Sequence, residues 1–172
     1  MLKIFGILCI LSGSTGIGLT CARELEMRIT ELQELQQALL QLRGEIRYMH
    51  QPLAEAFLHL AGNAPNPFRE FFLHTARDLQ RRNGQTAEEI WGRNLKNDMA
   101  ELHISRKEIG DLKKLGSMLG YLDVEMQVSA LDYYLEQLRL SVGQAREAAG
   151  SRRRLYQYMG ILGGATLVIL IF

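Results

Sequence analysis

Two uncharged runs bracket the chain, and they limit what it can fold into more than anything between them. From Ile4 to Ala22 there are 19 residues without a charged side chain, preceded by Lys3 and followed by Arg23-Glu24. From Leu155 to Phe172, "LYQYMGILGGATLVILIF", there are 18 more, with Tyr156 and Tyr158 at the start, where interfacial aromatics belong. As a helix, the first run is roughly 28 Å long, close to the hydrocarbon thickness of a bilayer. Residues 1–22 and 155–172 are therefore expected to be transmembrane helices, with residues 23–154 a separate domain between them.

Three other readings of the first run compete. A signal peptide would be cut after Ala22 with Thr20 at −3, a weak small-residue site. A lipoprotein would use Cys21, but "GLT" fits a lipobox poorly. A buried core helix would not explain the matching second run. The paired ends, each flanked by arginine, favour a membrane hairpin. Its orientation follows from the basic residues: Arg23 and Arg28 follow the first run, and Arg152, Arg153 and Arg154 precede the second. The positive-inside rule then places the middle domain in the cytoplasm.

The glycines of "LSGSTGIGLT" suggest a phosphate loop, but the order is G-x-x-G-x-G, without the βαβ context that a dinucleotide site needs. Ser12 and Gly16, like Ser14 and Gly18, are small residues four apart, the spacing that lets membrane helices approach closely; Gly160 and Gly164 offer a counterpart in the second run.

The middle reads as helices throughout. Leu25, Ile29, Leu32, Leu35, Leu39, Leu42, Ile46 and Met49 recur at gaps of three and four, a coiled-coil-like seam. The first span is expected to continue into an arm of about 28 residues, roughly 40 Å long. Pro52 ends the arm and suits the first turn of a second helix carrying Leu53, Ala56, Phe57 and Leu60. A third carries Phe68, Phe71, Phe72, Ala76 and Leu79 and ends at Asn83-Gly84. Thr86 with Glu89, and Ser105 with Glu108, have capping-box spacing and open the fourth and fifth helices. Asp123 can cap a sixth, with Leu131, Leu135, Leu138 and Val142, which runs on into the second span. No stretch alternates in the manner of a strand. The expected fold is all-α: an antiparallel bundle of about six helices flanked by the two membrane helices. Its apolar stripes read as core, with a homo-oligomer seam as the alternative.

No pattern requires catalysis, a cofactor or a metal. The cysteines are Cys9 and Cys21 only, and the histidines His50, His59, His74 and His103 are scattered without metal-ligand spacing. No G-x-x-x-x-G-K occurs, and a net charge of +1 argues against nucleic acid. Trp91 and the phenylalanines read as core.

"ALLQLRGEIRYMHQPLAEAF" (Ala38 to Phe57), the lone Trp91, "LGYLDVEMQ" (Leu119 to Gln127) and the two apolar ends together resemble the stage III sporulation protein AB family of endospore-forming bacteria. The match rests on Leu39, Leu42, Glu45, Ile46, Tyr48, Pro52, Leu53, Glu55, Ala56 and Phe57, and on an L-G-x-x-D-x-x-x-Q block formed by Leu119, Gly120, Asp123 and Gln127. The resemblance implies a subunit of the complex linking mother cell and forespore, in the outer forespore membrane. It also implies a soluble domain similar to the platform protein of type II secretion and type IV pilus systems, docking a secretion-type ATPase and other subunits. The L-G-x-x-D-x-x-x-Q block has a reading that needs no partner: Gly120 permits a turn, Asp123 caps a helix and Gln127 bonds across the turn. The competing functional reading is a membrane-anchored receptor or lipoprotein with an extracytoplasmic helical domain.

Overall fold

Helix-forming residues and few breakers should give long helices, and they do. The computed structural model describes the backbone of residues 2–49, 51–81, 84–120 and 123–171, and the side chains of 23–49, 51–81, 84–120 and 123–151. Its elements are α1 (Leu2–Gly44), a π-helical turn (Glu45–Met49), α2 (Leu53–Asn63), α3 (Phe68–Arg81), α4 (Ala87–Asp98), α5 (Arg106–Leu119) and α6 (Val124–Ile171), with no strand among the described residues. Both expected capping boxes form. Thr86 Oγ1 accepts from Glu89 N at 3.2 Å and Ser105 Oγ from Glu108 N at 3.3 Å, and each glutamate reaches back to the capping residue's own N–H. Each box satisfies two amides that the helix start would otherwise leave open.

α1 and α6 run unbroken through the apolar ends of the sequence. Among the described residues no helix is long and apolar enough to cross a membrane. The side chains of the expected spans, 1–22 and 155–172, lie outside the described ones, as do Ser12, Gly16, Gly18, Gly160, Gly164 and Arg152 to Arg154. The chain divides into two compact units, residues 1–29 with 143–172, and residues 30–142.

The second unit holds the main core. Leu32, Leu35, Leu39 and Leu42 are buried on α1, Ile46 on the π turn, and Leu131, Leu135, Leu138 and Val142 on α6. Between them α2, α3, α4 and α5 pack in sequence order. The α1 stripe stops earlier than its spacing predicts, because Met49 is 65% exposed. Met49 closes the π turn, whose wider winding takes it off the α-helical stripe.

Phe57, Phe71, Phe72 and Trp91 form one aromatic cluster across α2, α3 and α4, with ring centroids 4.7 to 5.9 Å apart. Trp91 continues onto α5, where its indole Nε1–H donates to the Leu112 carbonyl at 3.0 Å. It lies so close that a Cβ on Gly116 would overlap Cγ, Cδ1 and Nε1 of the indole. One turn on, a Cβ on Gly120 would stand 2.7 Å from Ala87 Cβ. Ala87 and Trp91, four apart on α4, thus face Gly120, which caps α5, and Gly116, four residues earlier in that helix.

Beside this contact the buried Asn94 donates to Thr75 Oγ1 at 3.4 Å and Asp78 Oδ2 at 3.2 Å, while Arg93 Nη2 reaches Asp78 Oδ2 at 2.6 Å. Burial raises the pKa of Asp78. The hydrogen bonds from Asn94 and Arg93 and the charges of Arg93 and Arg81 outweigh it, holding the carboxyl below its usual range.

Gly116→Ala is expected to destabilise the protein by about 1–3 kcal/mol through overpacking. Gly110→Ala on the same helix, where a Cβ meets nothing within 4 Å, should instead stabilise it by roughly 0.5–1 kcal/mol. Urea unfolding of the two variants distinguishes them. A carboxyl with a lowered folded-state pKa contributes stability that is fully present above its unfolded value, 3.8, and is lost as pH falls through the folded one. The urea-midpoint gap between the native protein and Asp78→Asn should therefore be wide at neutral pH and narrow in acid; a gap that holds constant would contradict this role.

Candidate functional site

Two turns, built independently, lie toward the same end of the 30–142 unit. The direction of the helices follows from three contacts. Tyr134 Oη donates to the Glu108 carbonyl at 3.3 Å, setting α6 against the start of α5. Burial, then the nearby charges of Asp111 and Glu108, keeps that phenol protonated far above its usual range. Arg43 on α1 pairs with Asp132 on α6, its Nη2 at 3.1 Å from Oδ2. Glu31, earlier on α1, binds the backbone and ring of His103 ahead of α5, at 2.7 and 2.8 Å. From 31 to 43, α1 therefore advances along the same direction as α5 and opposite to α6. The C-terminal end of α1 and the α5–α6 turn share one end.

The first of these turns comes after α1. The helix widens into the π turn before Pro52, which precedes α2 at its cap position with φ −55° and ψ 143°. The sequence suggests Pro52 inside the first turn of α2. It sits just outside, where its carbonyl accepts from Glu55 N at 2.9 Å and Ala56 N at 3.1 Å. The residue before a proline is steered away from helical angles, so the chain must leave α1 before Pro52. His59 Nδ1 on α2 lies 3.5 Å from Glu45 Oε2, tying the new helix to the turn.

The second turn is the L-G-x-x-D-x-x-x-Q block. Leu119 is buried, and its carbonyl accepts from Gln127 Nε2 at 2.7 Å. Asp123 Oδ1 accepts from Met126 N at 2.8 Å, and its carbonyl from Gln127 N at 2.8 Å. Gly120 has ordinary right-handed angles, φ −77° and ψ −20°, so a turn-permitting backbone is not what this position requires. The requirement is space, because Ala87 occupies the volume a side chain would take. The polar groups of the block are thus spent on closing the α5–α6 hairpin.

Beside the charged Arg47, Asp123 and Glu125, these turns leave several apolar side chains in the open. Tyr48 is 72% exposed, and Met49, Met118 and Val124 are exposed with it. The Arg47 guanidinium stands 5.8 Å from the Tyr48 ring centroid, over its face. The sequence pattern places Met49 in the core and gives the other three no role; the signal is present only as Tyr48 and Met49 shortly before Pro52. Of the residues expected to set orientation, Arg23 is exposed and Arg28 half-buried on α1. Among the described residues no three His, Cys, Asp or Glu side chains gather as metal ligands. The His–carboxylate contacts are pairs, such as His74 Nδ1 with Asp98 Oδ2 at 3.0 Å.

If the block acts by closing the hairpin, Asp123→Ala should cost about 1 kcal/mol as a lost cap, and Gln127→Leu about 1–3 kcal/mol as an unpaired carbonyl. The double variant should be less than additive, since both serve one turn. Unchanged urea midpoints would mean that the block is kept for something other than the fold.

A sequence model of the family described as Stage III sporulation protein AB matches residues 3–172. The chain is 28% identical over 171 residues to Stage III sporulation protein AB of Bacillus subtilis (strain 168), covering 99% of each. It is also similar to a solved structure of a Stage III sporulation protein AB, with TM-score 0.66 and 27% identity over 72% of this chain and 97% of that one.

Proposed function

The chain belongs to the stage III sporulation protein AB family, and on that premise we propose that it is a non-catalytic membrane platform in the complex joining mother cell and forespore. Residues 1–22 and 155–172 are its membrane spans. Residues 23–154 face the mother-cell cytoplasm and dock a secretion-type ATPase and further subunits of the complex. The observation that carries this reading is the exposed apolar group at the end of the 30–142 unit: Tyr48, Met49, Met118 and Val124, displayed by two turns that are themselves fixed by buried packing and hydrogen bonds. Aromatic and methionine side chains held in the open on a rigid support are the composition of a binding surface. The unbroken course of α1 and α6 into the uncharged ends supports the membrane-rooted arrangement.

The full chain, isolated from sporulating cells in detergent, should carry the secretion-type ATPase with it. Tyr48→Glu combined with Met118→Glu should abolish that association and block sporulation at unchanged protein level, because neither side chain is buried. Lys96→Glu, on an exposed part of α4, should leave it intact. An ATPase that never co-purifies, or that ignores the double variant, would sink the docking assignment.

A further inference from the structure

The junction between α1 and α2 sets two side chains against their own preferences. Met49 is 65% exposed, although it continues, three residues after Ile46, the stripe that Leu39, Leu42 and Ile46 bury. Two residues on, the opposite holds. Gln51 is half-buried, and its side-chain Oε1 is buried without a hydrogen-bond partner among the described residues. Exposing a large apolar group and burying an unpaired amide oxygen both cost free energy. Met49 closes the π turn, and Gln51 lies in the short link to α2. Winding that turn as α-helix would correct both misfits at once. At about 100° per residue, an α-helix continued from Gly44 sets Met49 within about 60° of the side that Leu39, Leu42 and Ile46 share, and Gln51 roughly 150° away from it. Met49 would turn in and Gln51 out, while Tyr48 stays outward.

We infer that residues 45–51 form a two-position element. In one position the π turn displays Met49; in the other α1 continues as α-helix, Met49 joins its stripe and Gln51 is released to water. Apolar surface is available to the incoming side chain. Leu53 extends the buried face of Ala56, Phe57 and Leu60 by one turn and is itself only half-buried, and an unbranched thioether fits irregular space. Gln51 and Pro52 belong to no helix, so the link absorbs the change of path. Pro52 favours the π position, because it steers Gln51 away from helical angles and so opposes a helix that runs on to it. The core stripe and the Gln51 amide favour the other. Two such opposed preferences in one short segment make a balance that a contact at Met49 shifts. On the docking reading above, a partner touching Met49 selects the π position, and the re-wound one withdraws part of the surface; the two positions themselves rest on the fold alone and outlast a failure of that reading.

The test reads methionine oxidation in the full chain in detergent, with hydrogen peroxide as the probe and peptide mass spectrometry as the readout. Peroxide transfers one oxygen to the thioether, giving the sulfoxide and water. Gln51→Glu and Gln51→Lys place opposite charges where an apolar interior refuses either, so both should favour the re-wound position. Each should slow oxidation of Met49 several-fold. Met118, 49% exposed, and Met126, 56% exposed, should keep their native rates, and the buried Met99 should stay protected. Gln51→Leu, which leaves no polar atom to bury, should keep Met49 as reactive as in the native chain. A native Met49 rate in either charged variant would overturn the proposal. So would both charged variants making Met99 reactive, since Gln51 would then have no way out short of unfolding.

Discussion

The arrangement of the 30–142 unit depends on how closely α4 approaches α5. Trp91 lies against the backbone of α5 at Gly116, and Ala87 closes on Gly120 one turn away. That approach lets one indole do three things. It joins the phenylalanines of α2 and α3 into a single apolar cluster, hydrogen-bonds the Leu112 carbonyl, and fixes the level of α5. With α5 fixed, Glu108 is placed for Tyr134 and Leu119 for Gln127, so both ends of the α5–α6 hairpin are set from one contact. Interiors this tightly packed do not absorb an added methyl group by small adjustments.

Helix boundaries and core stripes are legible in the sequence because their causes are local. A capping box needs four consecutive residues, and a buried stripe needs only periodicity; the Thr86 and Ser105 caps and the Leu131–Val142 stripe require nothing else. Gly120 is legible as a special position, but its role is not. Left-handed turns and close packing both call for glycine, and only the position of Ala87 tells them apart. Gly116 has a fainter signal: two glycines four apart on a helix, some 25 residues after a lone tryptophan. The π turn and the Asn94–Asp78 network depend on how helices meet, and neither has a spacing that one chain displays. The exposed apolar residues are hidden for a related reason: Met49 continues a heptad pattern, and only the wider winding of the π turn takes it out.

Several chemistry-bearing side chains among the described residues have structural partners. The histidines with described partners sit against single carboxylates, and Asp78 anchors an arginine and an asparagine. The L-G-x-x-D-x-x-x-Q block spends its polar groups on its own turn. Alongside them stand exposed apolar side chains at Tyr48, Met49, Met118 and Val124, and two helices that continue into uncharged segments. Such a distribution suits a protein that joins others, and it accords with membership of a sporulation family.

We propose that this helical domain hangs between two membrane spans on the cytoplasmic side. A phosphatase active only outside the cytoplasm, fused in one strain after Gly84 and in another after Phe172, tests it directly. A cytoplasmic domain requires activity at Phe172 and silence at Gly84. Activity at Gly84 with silence at Phe172 would contradict it and turn the domain outward.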